Sequence, residues 1–236
     1  MRTNSKRLPG KALSRITDHK RAVDIIIQRA KLTELPVILA TSISSSDDEL
    51  SNIAVNHKIE VFRGSLLNKI KRWYDCFEKF QIETALLIDG DDLCYDYDVA
   101  KRAMKQLSES GADIIMSPEE IVTGLFTLAV TKNAIKKLYD IAPLDSLDTD
   151  VFTHLLKKAN LIVQFVQLHE YERNKPIRLT LDYEEDLEFF KKLYSVLDIQ
   201  SSGTKILSYI ETNKDLAQIN YHKQKDFLQN KLQTQK

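Results

Sequence analysis

Only two cysteines, Cys76 and Cys94, occur among 236 residues. That is too few for a disulfide framework and points to free thiols in a reducing compartment. Long apolar runs are missing as well, since no stretch approaches the roughly 20 residues that a membrane-spanning helix needs. Residues 1 to 11 are polar and basic, so no secretory signal is visible there and a cytoplasmic protein is expected. Net charge is absent too: Lys and Arg number 34, and so do Asp and Glu. This balance excludes the basic excess of a dedicated nucleic-acid binder. With 43% hydrophobic residues it also excludes a disordered chain. No GxGxxG or HExxH occurs, and no Cys/His spacing suits zinc. A Walker A motif is excluded because Ser5 stands where its first glycine belongs. The histidines (His19, His57, His154, His169 and His222) are scattered and mark no triad. There is no internal repeat and no proline-rich linker. The length fits one large domain with a small appendage.

What is present is an alternation. Runs 36–40, 85–88, 113–116, 125–130 and 161–166 are short and apolar, with a shorter one at 178–181. Such runs fit strands covered on both faces. Between them lie segments of helical period at 19–32, 47–55, 64–80, 97–107, 132–139 and 186–197. In the third of these, Leu67, Ile70, Tyr74 and Phe77 share one stripe. The serines 44–46 offer N-caps for the second. The alternation predicts an α/β fold with a mostly parallel sheet. Right-handed crossovers then align the strand C-termini along one edge, where ligands bind. After Ser201-Ser202-Gly203 the pattern breaks, and 205–236 reads as two polar helices. We therefore expect a domain over 1–200 and a C-terminal helical extension over 201–236. The stretch 140–170 fits an inserted arm, on the side of a small substrate or of a second subunit.

The zero balance hides two poles. Residues 1–21 hold seven Lys and Arg against one Asp. A basic loop with a hydroxyl and a Pro-Gly step can wrap a polyphosphate; a solvated basic terminus would look the same. Residues 83–98 hold six acids and no base. The acids Asp89, Asp91 and Asp92 directly follow the strand at 85–88, where clustered carboxylates repel unless a cation joins them. A hard divalent ion accepts one or two carboxylates plus phosphate oxygens, while an acidic turn capping the next helix, through Asp96 or Asp98, is the structural alternative. A third acidic stretch runs from Asp182 to Asp186. Three of its acids suit a helix N-terminus, and Asp182, just before them, is either a second metal ligand or an N-cap.

Several segments together resemble the sugar cytidylyltransferases, which include the enzymes activating Kdo and acylneuraminic acids and the related spore-coat polysaccharide proteins. Residues 1–13 look like that family's N-terminal signature, with Arg2, Ser5, Arg7 and Leu8-Pro9-Gly10-Lys11 at its spacing. Ile38 to Ser42 with Asp47-Asp48 is similar to its second strand and loop. Val61-Phe62-Arg63-Gly64 resembles its Val-Phe-Arg-Gly, with Arg72 at a later arginine's place. Gly90-Asp91 matches the Gly-Asp after its central strand. Arg178 to Asp182, followed by Glu185-Asp186-Leu187, looks like its closing pattern. The resemblance covers about residues 1–195 and is thin from 140 to 170. It implies a Rossmann-like three-layer α/β/α fold of the nucleotide-diphospho-sugar transferase type.

The same resemblance implies the chemistry: a sugar or sugar-acid hydroxyl attacks the α-phosphate of CTP, giving a CMP-sugar and pyrophosphate. Lys11, Arg7 and Asp91 would be catalytic. Arg2, Ser5, Arg7, Lys11, Ala40, Thr41, Ser42 and Arg72 would bind the nucleotide. Asp91 and Asp182 would hold Mg²⁺. The expected partners are CTP, the sugar and a second copy of the chain, with no nucleic acid and no membrane. Three departures stand out. The family has an apolar strand before its signature, whereas this chain starts inside it, so a first strand missing from the sheet is expected; an upstream start, a truncation and a damaged member all fit. Asp92 replaces the usual residue after Gly-Asp, which predicts a more acidic metal site. Asp148-Thr149-Asp150 has no counterpart. Two rivals remain: a glycosyltransferase using Asp89-Gly90-Asp91 as an Asp-x-Asp, and a non-catalytic nucleotide-binding relative.

Overall fold

A computed structural model describes residues 1–5, 7–149 and 151–226. Two strands, β1 (Ile38–Ser42) and β2 (Glu60–Gly64), pair in parallel. Four more form a second sheet: β3 (Thr84–Leu87), β4 (Ile114–Met116), β5 (Leu128–Thr131) and β6 (Val163–Phe165). Its order is β3-β5-β4-β6, with β5 antiparallel to both neighbours and β4 parallel to β6. The α/β class expected from the alternation is therefore present, with parallel pairing in the first sheet and mixed pairing in the second. β2 is a strand that the apolar pattern does not announce. Its residues are exposed or half-buried apart from Phe62, so it lacks the apolar run of a covered strand. Conversely, the short strand expected at 178–181 is reduced to an isolated bridge between Thr123 and Arg178.

Helices flank both sheets. They are α1 (Ala22–Lys31), α2 (Asp48–Asn56), α3 (Lys69–Phe80), α4 (Tyr97–Ser110), α5 (Lys132–Ile141), the short α6 (Thr153–Lys158) and α7 (Glu184–Tyr194), followed by α8 (Gly203–Thr212) and α9 (Lys214–Gln218). Local chemistry sets several starts. Asn68 caps α3 by accepting from Lys71 N at 2.9 Å. Asp96 caps α4 by accepting from the backbone of Asp98 and Val99. The serines 44–46 cap nothing; they lead into a 3₁₀ turn that ends at Asp47. The expected second polar helix is broken: α9 ends at Gln218, helical backbone resumes at 223–226, and residues 227–236 lie outside the described residues.

Among the described residues the two sheets are not paired to each other. Helix α1 packs Val23 and Ile27 with Leu39 of β1, and Ala22, Ile25 and Ile26 with Ile88 and Leu93, which follow β3. On the other face α3 contacts β1 and places Ile70, Trp73 and Phe77 with Ala85 and Leu87. The interval between β1 and β3 thus lies under shared helices. Met1 enters this interval: its amine donates to Ala40 O at 2.9 Å, and its side chain packs on Gly90.

Three local devices set the edge where the strands end. First, Asp47 is fully buried and accepts from Thr3 N and Oγ1, Thr41 Oγ1, and Ser42 N and Oγ. It ties the N-terminal loop to the end of β1. Second, Arg29 of α1, also fully buried, donates to Tyr95 O, Ile199 O and Ser201 O. It holds the acidic loop after β3 against the start of the C-terminal extension. Third, Leu179 N donates to Thr123 O and Leu181 N to Asp91 O. The second of these bonds brings Asp182 beside Asp91. The first relies on Gly124, which takes a φ of +94° and lies so close to Leu179 O that any Cβ would collide with it.

Two predictions concern stability. Burial alone would raise the Asp47 pKa, but its donors from Ser42, Thr3 and Thr41 outweigh it and bring it to about 2. Because the folded value lies below that of an unfolded carboxylate, this stabilisation is complete above about pH 4 and is lost as pH falls toward 2. Asp47→Asn should remove about 2 kcal/mol at neutral pH and flatten the acid limb of the stability curve; denaturant unfolding between pH 2 and 7 checks both. Gly124→Ala should cost at least about 2 kcal/mol through strain and overpacking, read as a lowered denaturant midpoint with an unchanged slope.

Candidate active site

The basic and acidic poles meet at the edge formed by the strand C-termini. Pro9 and Gly10 turn the N-terminal loop, with Gly10 at φ +72° and its N–H on Thr3 O. Leu8 and Ala12 are buried, which anchors the loop on either side of the turn. The 3₁₀ turn Lys11–Leu13 then directs Lys11 inward. Lys11 Nζ donates to Asp91 Oδ2 at 2.5 Å and to Asp182 Oδ1 at 2.9 Å. Arg7 Nη2 donates to the same Asp182 oxygen at 2.5 Å. Burial opposes the Lys11 charge, yet Asp91 and Asp182 raise its pKa above that of an ordinary lysine. Burial would likewise raise Asp182, but Lys11 and Arg7 pull it down to about 2.

The other carboxyl groups of the acidic loop differ from one another. Burial works against the Asp89 charge, but Lys69, 2.9 Å away, outweighs it and lowers the Asp89 pKa. Asp92 is buried and accepts weakly from Thr127 Oγ1 at 3.3 Å. Burial, reinforced by Asp91 and Asp89, pushes its pKa well above the usual carboxylate range. Asp92 therefore sits in surroundings that disfavour its charged form.

Of the expected site residues, Arg7, Lys11, Asp91 and Asp182 converge. Arg2 lies at the same edge and donates to Leu66 O at 2.7 Å. Ser5 accepts from Leu8 N at 3.5 Å, inside the loop. The hydroxyls of Thr41 and Ser42 are both committed to Asp47, so these residues shape the edge. Ala40 O is occupied by the Met1 amine. Arg72 is almost wholly buried and donates to Ser65 O at 2.6 Å, bracing the loop after β2. Lys69 is a site residue that the sequence reading misses. Its one signal there is a cation opening a helix, where the helix dipole disfavours positive charge.

A divalent cation fits the pair Asp91 and Asp182. Both carboxylates already converge on one positive atom, the Lys11 ammonium. Among the described residues no group of three or more His, Cys, Asp or Glu could hold a metal by itself. A two-carboxylate donor set suits a hard ion that completes its shell with water and phosphate oxygens. Among the described residues no helix is long and apolar enough to cross a membrane. Cys76 and Cys94 are buried free thiols, and burial pushes both up to about 11.

Comparison with known proteins finds relatives that span most of the chain. An uncharacterized protein of Methanocaldococcus jannaschii is 25% identical over 223 residues, which is 93% of this chain and 91% of that protein. The spore coat polysaccharide biosynthesis protein SpsF of Bacillus subtilis is 26% identical over 232 residues, 92% of this chain and 93% of that protein. The structure of a cytidylyltransferase from Leptospira borgpetersenii aligns with a TM-score of 0.83 at 23% identity, covering 92% of this chain and 93% of that one. CMP:2-keto-3-deoxy-manno-octonic acid synthetase, solved with CTP, aligns with a TM-score of 0.61 at 13% identity over 83% of this chain and 95% of that one. These two structures share the fold. The sequence model of the family described as cytidylyltransferase matches residues 1–231, and the chain belongs to that family.

Proposed function

We propose that this cytidylyltransferase activates a sugar or sugar acid with CTP. The observation that carries the reading is the Lys11 ammonium set between Asp91 and Asp182, with Arg7 on the same Asp182 oxygen. This arrangement concentrates two cations and two anions at the edge where ligands of open α/β sheets bind. A polyphosphate brings both the negative charge that Lys11 and Arg7 can take up and the metal-binding oxygens that Asp91 and Asp182 can complement.

In the proposed reaction the sugar hydroxyl oxygen bonds to the α-phosphorus and the bond to the β-phosphate oxygen breaks. Pyrophosphate leaves, and the hydroxyl proton is released. Mg²⁺, held by Asp91 and Asp182, would supply neutralisation of the phosphate charge. Lys11 and Arg7 would turn from the carboxylates to the β- and γ-phosphates and stabilise the leaving group. Arg2 would line the loop beside the triphosphate, and Ser5 would hold its curvature. Ala40, Thr41, Ser42 and the loop braced by Arg72 would form the wall facing the nucleoside, through backbone atoms more than side chains. Lys69 would keep Asp89 from adding a second uncompensated charge. Positioning and electrostatics carry such a reaction, with little covalent work for the protein.

A homodimer also belongs to this reading. The 140–170 stretch leaves Ile141, Leu144, Leu147, Ile162 and Phe165 exposed, which supports a subunit contact there.

The test is pyrophosphate release with each NTP, Mg²⁺ and a panel of sugars and sugar acids. CTP-dependent release with one acceptor class is expected. Consumption of a nucleotide-sugar without pyrophosphate would instead indicate glycosyl transfer, and nucleotide binding without turnover would indicate a non-catalytic relative. Lys11→Ala should lower turnover about 10²-fold or more, as for one lost transition-state donor, and near-normal turnover would remove the clamp. Asp91→Asn should abolish turnover at ordinary Mg²⁺; retained activity would exclude Asp91 as a metal ligand.

A further inference from the structure

The C-terminal extension reaches back to the acidic segment that ends at Asp182. Arg178 is fully buried and donates from Nη2 to Asp182 Oδ2 at 3.1 Å. It also donates to both oxygens of Asp186, at 3.0 and 3.2 Å. Asp186, itself buried, accepts from the backbone of Asp182 at 2.8 Å and of Tyr183 at 3.0 Å. These bonds occupy one oxygen of Asp182 and leave the other, Oδ1, to Arg7 and Lys11.

Two residues beyond α9 complete the arrangement. Asn220 is fully buried, and its Nδ2 donates to Arg178 O at 3.1 Å and to Asp186 Oδ1 at 2.9 Å. Gln224 accepts from Arg178 Nη1 at 3.1 Å and donates to Thr123 Oγ1 at 2.8 Å. Thr123 is the residue whose backbone pairs with Leu179. Gln224 therefore joins the guanidinium to the segment that sets Asp182 beside Asp91.

We propose that Asn220 and Gln224 are positioning residues for the cation site. They fix the Arg178 guanidinium and the Asp186 carboxylate, which in turn fix the rotation of Asp182 so that Oδ1 faces Lys11 and the incoming cation. This inference rests on the reading of Asp91 and Asp182 as the metal pair, and it gives the C-terminal extension a role in that site. Groups behind a metal ligand orient it and tune its affinity, typically by roughly 10- to 100-fold. Asn220 and Gln224 act one residue further out, so an effect near the lower end is expected.

The test is Mn²⁺ binding to the full-length protein, read from the loss of the free-ion paramagnetic resonance signal, with the thermal midpoint measured alongside. Gln224→Ala should raise the Mn²⁺ dissociation constant about 5- to 10-fold. Gln224→Glu keeps an acceptor for Arg178 and should stay within about 2-fold of the parent, a rescue that loss of packing alone would not give. In an Asp182→Asn background, Gln224→Ala should have no further effect on Mn²⁺ affinity, because the two act through one carboxylate. Asn220→Ala should weaken Mn²⁺ in the same way; if it fails to fold, the Gln224 pair of variants still decides. A lowered midpoint with unchanged Mn²⁺ affinity in Gln224→Ala would overturn the positioning role and leave the metal pair standing. No Mn²⁺ affinity in the parent protein would overturn the metal pair, and the positioning role with it.

Discussion

The structure depends on one ammonium held between two carboxylates. Asp91 and Asp182 come from distant parts of the chain, and at this separation in a partly desolvated site two such charges repel by several kcal/mol. Lys11 offsets that repulsion, with Arg7 and Arg178 on Asp182 sharing the load. The close approach is thus conditional on the basic loop being in place. That condition explains why so much of the fold serves to seat the loop. Asp47 ties Thr3 to the end of β1, Gly10 makes the turn, and buried Leu8 and Ala12 flank it.

The same interaction connects the fold to chemistry. A site that already balances cations against carboxylates can exchange partners when a metal-bound triphosphate arrives. On the proposed reading the cations would turn to phosphate and the carboxylates would hold the metal, so charge would stay paired throughout. A chain with no net charge can therefore handle a polyanion without the basic excess of a nucleic-acid binder. Asp89 and Asp92 are handled separately, the first by Lys69 and the second by burial that favours its neutral form. Asp91 and Asp182 are the two carboxylates that share the Lys11 ammonium.

Much of this is legible in the chain. Apolar runs at 85–88 and 113–116 mark β3 and β4 to within a residue or two, because covered strands carry a continuous apolar signal. The charge poles and the Leu8-Pro9-Gly10-Lys11 loop point to Arg7, Lys11, Asp91 and Asp182, which do converge. What cannot be read depends on tertiary contact. Thr41 and Ser42 look like ligand contacts, yet their hydroxyls serve Asp47. Arg72 is buried under the loop after β2, a fate that nothing in its neighbours announces. The edge-like composition of β2 hides a strand that gains its stability from pairing with β1. The segment 178–181 looks like a strand, but its partners are a glycine turn and the Asp91 carbonyl. Asn220 and Gln224 sit in a polar helical stretch with no motif to single them out, and their contacts with Arg178, Asp186 and Thr123 give them meaning.

On the reading proposed above, Lys11 stands where the cation belongs and yields that place when the cation binds. The most direct measurement is a crystal structure with CTP and Mn²⁺, with the metal located by anomalous scattering. Mn²⁺ bonded to Asp91 and Asp182 is expected, with the Lys11 ammonium moved onto the β- or γ-phosphate. Mn²⁺ bound elsewhere, with Lys11 still bridging the two carboxylates, would contradict that reading.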